Sequence, residues 1–344
     1  MKNDKGTISF SMVEEALALA RSRGLDALPL AEAAGIAAPM LTSPKSRVSS
    51  AQYGALWAAI ARALDDEFFG QDSHRMKSGS FIAMTQTALT ARNGAQALAR
   101  AVGFMRLVLD DLGVQIETDA QRVRLRFVEN AGTPPAMFAY ATYFILVYGL
   151  LCWLVGRRIP LLEARFRCAE PPAAHEYRLM FCDQMNFDQA ESYVDLAPAF
   201  LDLPVIQTTK SVKPFLRDAP GSFIVKYRNP GSLAARVRKM LRAMPMAGWP
   251  AADQMAERLH VAEATMRRHL KHEGYTYQSI KDDLRRDIAI GELQDTDRTI
   301  ADIATSVGFA EPSAFHRAFR KWTGMRPTDY RPARADFTRK TESD

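Results

Sequence analysis

The run DQMAERLHVAEATMRRHL at residues 253–270 returns 48 to 49 positions later as ADIATSVGFAEPSAFHRAF at residues 301–319. Ala256 corresponds to Ala304, Leu259 to Val307, Val261 to Phe309 and Leu270 to Phe319. One added residue after Glu311 changes the offset. A repeat like this restricts the last third of the chain to two copies of one small helical unit. In each copy two short helices cross steeply, so one contact must be small, and Ala256 and Ala304 supply it. The turn between them needs a residue that accepts left-handed backbone, which Gly308 does freely. Val261 and Phe309 plug the angle. The second helix buries Met266 and Leu270 in one copy, Phe315 and Phe319 in the other. Its outer face keeps Arg267, Arg268 and Lys271, then His316, Arg317 and Arg320.

A helix of that kind suits a major groove, with basic and polar side chains toward bases and phosphates. For one copy alone, an ordinary bundle with a solvated charged face explains as much. Two copies in a basic segment argue against it. The 344-residue chain carries a net charge of +6, and residues 1–220 hold 23 basic and 23 acidic side chains. The remaining 22 basic and 16 acidic residues put the whole excess in the last third. A basic domain attracts a phosphate backbone because binding releases condensed counterions. Residues 277–293 read as a long amphipathic helix that sets the spacing of the two heads. Paired heads suit adjacent major-groove segments about 34 Å apart.

Residues 1–210 read as mixed helix and strand. Residues 51–64 and 94–112 have helical spacing. Val123, Leu125 and Phe127 alternate with arginines between residues 118 and 129, the period of a half-buried strand. Residues 161–168 and 192–196 read as further strands, with breaks at Pro171-Pro172 and at residues 202–204. Residues 135–156 are 22 positions without a charge, followed by Arg157 and Arg158. About 20 apolar residues suffice to cross a bilayer. Pro, Gly, Thr and Tyr dilute this run, so a helix buried on all sides of a soluble domain is expected. Residues 211–231, with Pro214, Pro220-Gly221 and Pro230-Gly231, read as a connector. Ser232 then caps a helix marked by Leu233, Val237, Leu241 and Met244.

The segment GFAEPSAFHRAFRKWTGMRPTDYR at residues 308–331 closely resembles the signature of the AraC/XylS regulators. The resemblance covers about 100 C-terminal residues. More distantly, residues 1–210 resemble the arabinose-binding-type N-terminal domain of the ornithine-utilisation-regulator branch. That match rests on the order of elements and on residues 161–168, 176–187 and 193–204. The expected fold is therefore an α+β effector and dimerisation domain over residues 1–210 and a connector over 211–231. An all-α double helix-turn-helix domain over 232–331 and a disordered tail over 332–344 follow. The resemblance implies that Ala264, Arg267, Arg268 and Lys271 face DNA from the first head. Ser313, His316, Arg317 and Arg320 do so from the second. His260 stands where the first turn usually has glycine, and Ala262 where a serine caps the next helix. His tolerates left-handed backbone better than most residues, so the turn is expected to survive. Ala264 is too short for a long-range base contact.

Enzyme motifs are absent: the sequence has no GxSxG, GxxxxGK[ST], HExxH or GxGxxG. His260, His269 and His272 invite a metal, but surrounding arginines disfavour a cation, and no metal or cofactor is expected. Asp65-Asp66-Glu67, Asp110-Asp111 and Asp282-Asp283 read as solvated helix ends. Cys152, Cys182 and Cys168 lack metal-ligand spacing and suit a reducing cytoplasm. Glu14 and Glu15 interrupt any signal-peptide run near the start. These readings imply a sequence-specific regulator, an activator, with promoter DNA, a small-molecule effector, RNA polymerase and a second copy of the chain as partners. Three roles compete for the N-terminal domain. In the first it senses an effector in a pocket lined from residues 138–153, although core packing explains each of those residues singly. In the second it only dimerises, and the regulator is constitutive. In the third it is an enzyme fused to a DNA-binding tail. Arg165 and Arg167 alternate on a strand and could meet a carboxylate, but an exposed surface is the simpler reading.

Overall fold

The computed structural model describes residues 7–130, 132–219 and 233–331. Strand β1 (Thr7–Ser9) leads into helices α1 (Phe10–Ser22) and α2 (Ala27–Ala33). Strand β2 (Arg47–Ser49) returns to pair with β1 in antiparallel register, Ile8 opposite Val48. Helix α3 (Ser50–Leu64) starts at a capping box in which Ser49 and Gln52 satisfy each other's backbone N–H. Helices α4 (Ser80–Leu89) and α5 (Gly94–Val108) follow, then β3 (Leu112–Thr118) and β4 (Val123–Glu129). After α6 (Met137–Leu154) come β5 (Leu161–Arg165), α7 (Ala174–Met180), β6 (Met185–Asn186), β7 (Tyr193–Leu196) and α8 (Thr209–Asp218).

Strands β3 to β7 form one sheet in the order β3-β4-β7-β5-β6, antiparallel except for β5 with β6. The alternation along β4 resolves as expected. Val123, Leu125 and Phe127 are buried, and Phe127 meets Tyr140 and Tyr143 of α6 edge-on. Arg124 points to the other face, where it grips Asp195 of β7 through two 2.8 Å bonds and lies over Tyr193. Helix α6 is covered on its other side as well: Phe138 meets Trp57 of α3, and α5 packs along it. Of its window of membrane-spanning length, 94% is buried inside the protein. The uncharged run is therefore a core helix, as its composition suggested.

Three local readings differ from the structure. The helix expected over residues 94–112 stops at Val108. Leu109 is already extended, and the Asp72 carboxylate accepts backbone N–H bonds from Asp110, Asp111 and Leu112, which turns the chain into β3. The acidic clusters are not all solvated ends. Asp66 is buried and accepts from the N–H groups of Phe68, Gly70 and Met76, while Glu67 accepts from Gly79 and Phe81. Finally, α8 occupies the start of the expected connector. Phe215 stacks on Trp153 with ring centroids 4.0 Å apart, so Pro214 sits within a helix docked on the N-terminal unit. The rest of the connector after 219, Ser232 included, and the tail after Arg331 lie outside the described residues.

The C-terminal third is helical throughout its described residues: α9 (Leu233–Arg242), α10 (Ala252–Arg258), α11 (Glu263–His272), α12 (Tyr277–Asp295), α13 (Ile300–Ser306) and α14 (Pro312–Thr323). A 3-10 turn, Pro327–Tyr330, closes it.

Candidate nucleic-acid interface

The two copies of the repeat fold alike down to the backbone hydrogen bonds of the turn. In the first head His260 N–H donates to Glu257 O at 2.9 Å and Val261 N–H to Ala256 O at 3.1 Å. In the second Gly308 N–H donates to Thr305 O at 3.0 Å and Phe309 N–H to Ala304 O at 2.9 Å. Both are the paired bonds that end a helix with one left-handed residue. His260 has φ 57° and Gly308 φ 83°, so histidine does adopt the conformation that glycine takes more cheaply. Ala262 provides no side-chain cap for α11, and Glu311 provides none for its counterpart α14. The first head thus differs from the second in its turn residue, where it lacks the glycine.

Burial divides each head as the repeat demands. Ala256, Leu259, Met266 and Leu270 are buried with Val237 and Leu241 of α9 in one core. Ala304, Val307, Phe315 and Phe319 are buried with Ile290 and Leu293 in another. Helix α12 contributes Ile280 and Leu284 to the first core and Ala289, Ile290 and Leu293 to the second. It is the axle of both heads. On α11, Ala264, Arg267, Arg268 and Lys271 are exposed, and Arg267 pairs with Glu263 one turn away at 2.5 Å. On α14, Ser313, Arg317 and Arg320 are exposed and His316 is half-buried. All eight side chains singled out in the sequence therefore lie on the outer sides of the two second helices.

Other features of the heads were not legible in the repeat. Glu273 caps α9 by accepting from Leu233 and Ala234 N–H at 2.8 Å each, across 40 and 39 residues. Arg285 of α12 reaches both heads: its guanidinium lies 5.4 Å from the Trp249 ring and 5.9 Å from the Phe309 ring. No group of His, Cys, Asp or Glu among the described residues has a metal-binding arrangement.

The second head is also fastened to the N-terminal unit. Within the N-terminal unit, Arg47 of β2 forms a two-point ion pair with Glu176 of α7, at 2.7 and 3.3 Å, and donates through Nε to the Thr7 hydroxyl at 2.7 Å, which sets Thr7 for the second head. Thr7 in turn donates to Asp287 of α12 at 2.6 Å. Burial opposes the charge on Arg47, but Glu176, with Asp287 and Asp283 behind it, more than offsets this and holds its pKa above the ordinary value. Arg47 N–H donates to the Tyr330 hydroxyl at 3.0 Å, and Gln294 Nε2 donates to Gln52 Oε1 at 2.9 Å. Gly324 ends α14 with φ 74°, and a Cβ there would stand 2.6 Å from Ser43 Oγ of the N-terminal unit. Apolar residues of the second head belong to the same continuous core as the N-terminal unit, while the first head has a core of its own.

The chain is similar to known proteins along most of its length. Residues 24–205 match the family described as the arabinose-binding domain of AraC transcription regulators, and residues 255–333 match a helix-turn-helix domain. The ornithine utilization regulator of Pseudomonas aeruginosa is 29% identical over 330 residues, covering 95% of this chain and 96% of that protein. The regulator VirS of Mycobacterium tuberculosis is 23% identical over 321 residues, covering 91% and 93%. A crystal structure of the transcriptional regulator CdpR from Pseudomonas aeruginosa aligns over 73% of this chain and 82% of that one. Its identity is 22% and its TM-score 0.30.

Proposed function

Because the chain belongs to the AraC family of transcription regulators and carries that family's helix-turn-helix DNA-binding domain, we propose that α11 and α14 read two adjacent major-groove segments of promoter DNA. A small-molecule effector held in the N-terminal domain controls that reading, and the outcome is activation. Ala264, Arg267, Arg268 and Lys271 face DNA from the first head, and Ser313, His316, Arg317 and Arg320 from the second. The regulator acts in the cytoplasm as a homodimer and contacts RNA polymerase.

The observation that carries the DNA reading is the matched pair of turns, which leaves one exposed face on each second helix. Arg268 and Arg317 lie on those faces, and arginine reads guanine through two major-groove acceptors, a contact worth about 1–3 kcal/mol. Arg268→Ala and Arg317→Ala are each expected to weaken operator binding in a gel shift while leaving the melting temperature unchanged. Wild-type binding by both variants would remove the assignment of these faces.

Effector control is supported by the continuous core and the polar contacts between the N-terminal unit and the second head. A ligand shifts an equilibrium only by its preference for one state, and such a docked head gives that preference a direct route to DNA. The test is the thermal shift of the full chain against growth substrates, paired with promoter output. Ornithine belongs among them because of the relative's name. No shift from any metabolite, with promoter output indifferent to growth substrate, would leave a constitutive regulator whose N-terminal domain only dimerises.

A further inference from the structure

Among the described residues, one cation in the N-terminal domain stands out by what it lacks. Arg158 follows the C-terminal end of α6. Its Nη2 donates to the carbonyls of Met180 and Phe181, at 3.1 and 2.7 Å, where α7 ends. Its Nε and Nη1 have no accessible surface and no hydrogen-bond partner. Two other largely buried arginines of this domain each meet a carboxylate, Arg124 with Asp195 and Arg47 with Glu176. Buried donors left unmade are costly, more so on a charged group. Burial holds the Arg158 pKa below its ordinary value, only partly countered by Tyr148, Cys152, Cys182 and Asp183.

The surroundings say what kind of partner fits. The guanidinium lies 5.9 Å from the Tyr148 ring, and Tyr148 stacks on Phe144, which meets Phe181 edge-on. Phe144 and Phe181, with Leu161 and Met185, also line an apolar seam between α6 and the sheet, which is closed in this state and which Arg158 reaches only through those two rings. The thiols of Cys152 and Cys182 are held protonated by burial, their pKa values pushed up to about 11 and about 12. The site therefore offers one positive charge with unspent N–H donors, set in a wall of aromatic and aliphatic carbon.

We propose that Arg158 is the effector-anchoring residue of this domain and that the effector is a small organic carboxylate. Its carboxylate accepts from the unspent Arg158 donors, and its carbon body lies along the α6 seam. This rests on the effector-sensing reading above and adds the chemical class and the anchor. The unspent Arg158 N–H groups and the seam are both closed in this state, so the ligand selects a conformation in which both open. In the sequence Arg165 and Arg167 are candidates for a carboxylate, with an exposed surface the simpler reading, and both side chains reach solvent. Those two are spent on Glu163 and Glu129.

The experiment is differential scanning fluorimetry of the full chain at constant ionic strength. The probes are sodium butanoate and hexanoate, with 1-hexanol, hexylamine, phosphate and chloride as controls. The alkanoates are expected to raise Tm, hexanoate more than butanoate, and the controls are not. Arg158→Met is expected to weaken alkanoate affinity roughly 10- to 100-fold, the range for losing a charged hydrogen-bonding partner. Its ligand-free melting should stay within a few degrees of wild type. Arg158→Lys keeps the charge without the planar donor set and should retain a weakened response. It carries the test if the Met variant does not fold. An alkanoate shift that persists in either folded variant at wild-type strength overturns the proposal. So does an equal shift from 1-hexanol, or a phosphate or chloride shift as large as hexanoate's. A neutral or cationic metabolite that shifts Tm when no carboxylate does would sink the carboxylate anchor and leave effector sensing standing. No shift from any compound would sink both.

Discussion

Replacing Arg47 by Met removes the ion pair that ties β2 to α7 within the N-terminal unit, beside the place where Thr7 and the Arg47 backbone meet the second head. The Arg47 and Glu176 side chains are 13% and 11% exposed, so solvent screens their attraction little. Methionine keeps much of the aliphatic stem but loses both bonds to Glu176 and both bonds to Thr7, one to its hydroxyl and one to its carbonyl. The backbone bond from residue 47 to Tyr330 survives. Removing one member of a buried pair costs about 3–5 kcal/mol, because the partner is left in a poorly solvating site. The residual exposure argues for the low end, about 3 kcal/mol, or roughly 6–12 °C in Tm for a unit of this size. Urea unfolding of wild type, Arg47→Met, Glu176→Gln and the double variant measures the pairwise part. The double variant should lose less than the sum of the singles, by at least about 1 kcal/mol. Additivity within about 0.5 kcal/mol would refute the claim that this pair ties β2 to α7 beneath the second head.

Three further outcomes follow from single sites. Burial, partly opposed by the Tyr177 hydroxyl, holds the Glu15 pKa above its ordinary 4.5. A raised carboxyl pKa means that the folded state binds the proton more tightly. The stabilisation is present below pH 4.5 and is lost as pH rises through the folded value. Glu15→Gln should therefore gain on wild type as pH rises toward 7 and match it in acid, and a constant difference in Tm across pH would be the contrary result. His260→Gly should not destabilise the first head and His260→Val should cost about 1–2 kcal/mol, since left-handed backbone penalises a Cβ and a branched one most; equal melting of the two would contradict the φ of 57°. Asp72→Ala should cost at least about 3 kcal/mol, because four backbone N–H groups donate to that carboxylate, one in a buried bond and three in part-buried ones. Chemical denaturation showing under 1 kcal/mol would mean water replaces it readily.

What could be read from the chain alone was whatever depends on local period and local backbone. The two heads were legible because each repeats a small residue, a left-handed turn residue and apolar positions at helical spacing within about twenty residues. The same holds for β4, whose alternation is set by the pleat, and for α6, whose lack of any charged face leaves it nowhere but the core. Histidine at position 260 was legible too, since its backbone had to follow the turn. The exposed faces of α11 and α14 followed from the buried ones by geometry.

The tertiary structure decided what depends on partners distant in sequence. Arg47 meets Glu176 across 129 residues, and Thr7 meets Asp287 across 280. No spacing rule links such positions, because their proximity exists only after the whole chain has packed. Asp66 and Asp72 look like solvated carboxylates until the loops that donate to them are closed around them. Pro214 signals a break, yet stacking of Phe215 on Trp153 makes its segment a docked helix. Arg158 and Arg167 are equally plain arginines in the sequence. Folding gives one a carboxylate and seals two nitrogens of the other without any partner, so only the structure tells a filled site from an open one.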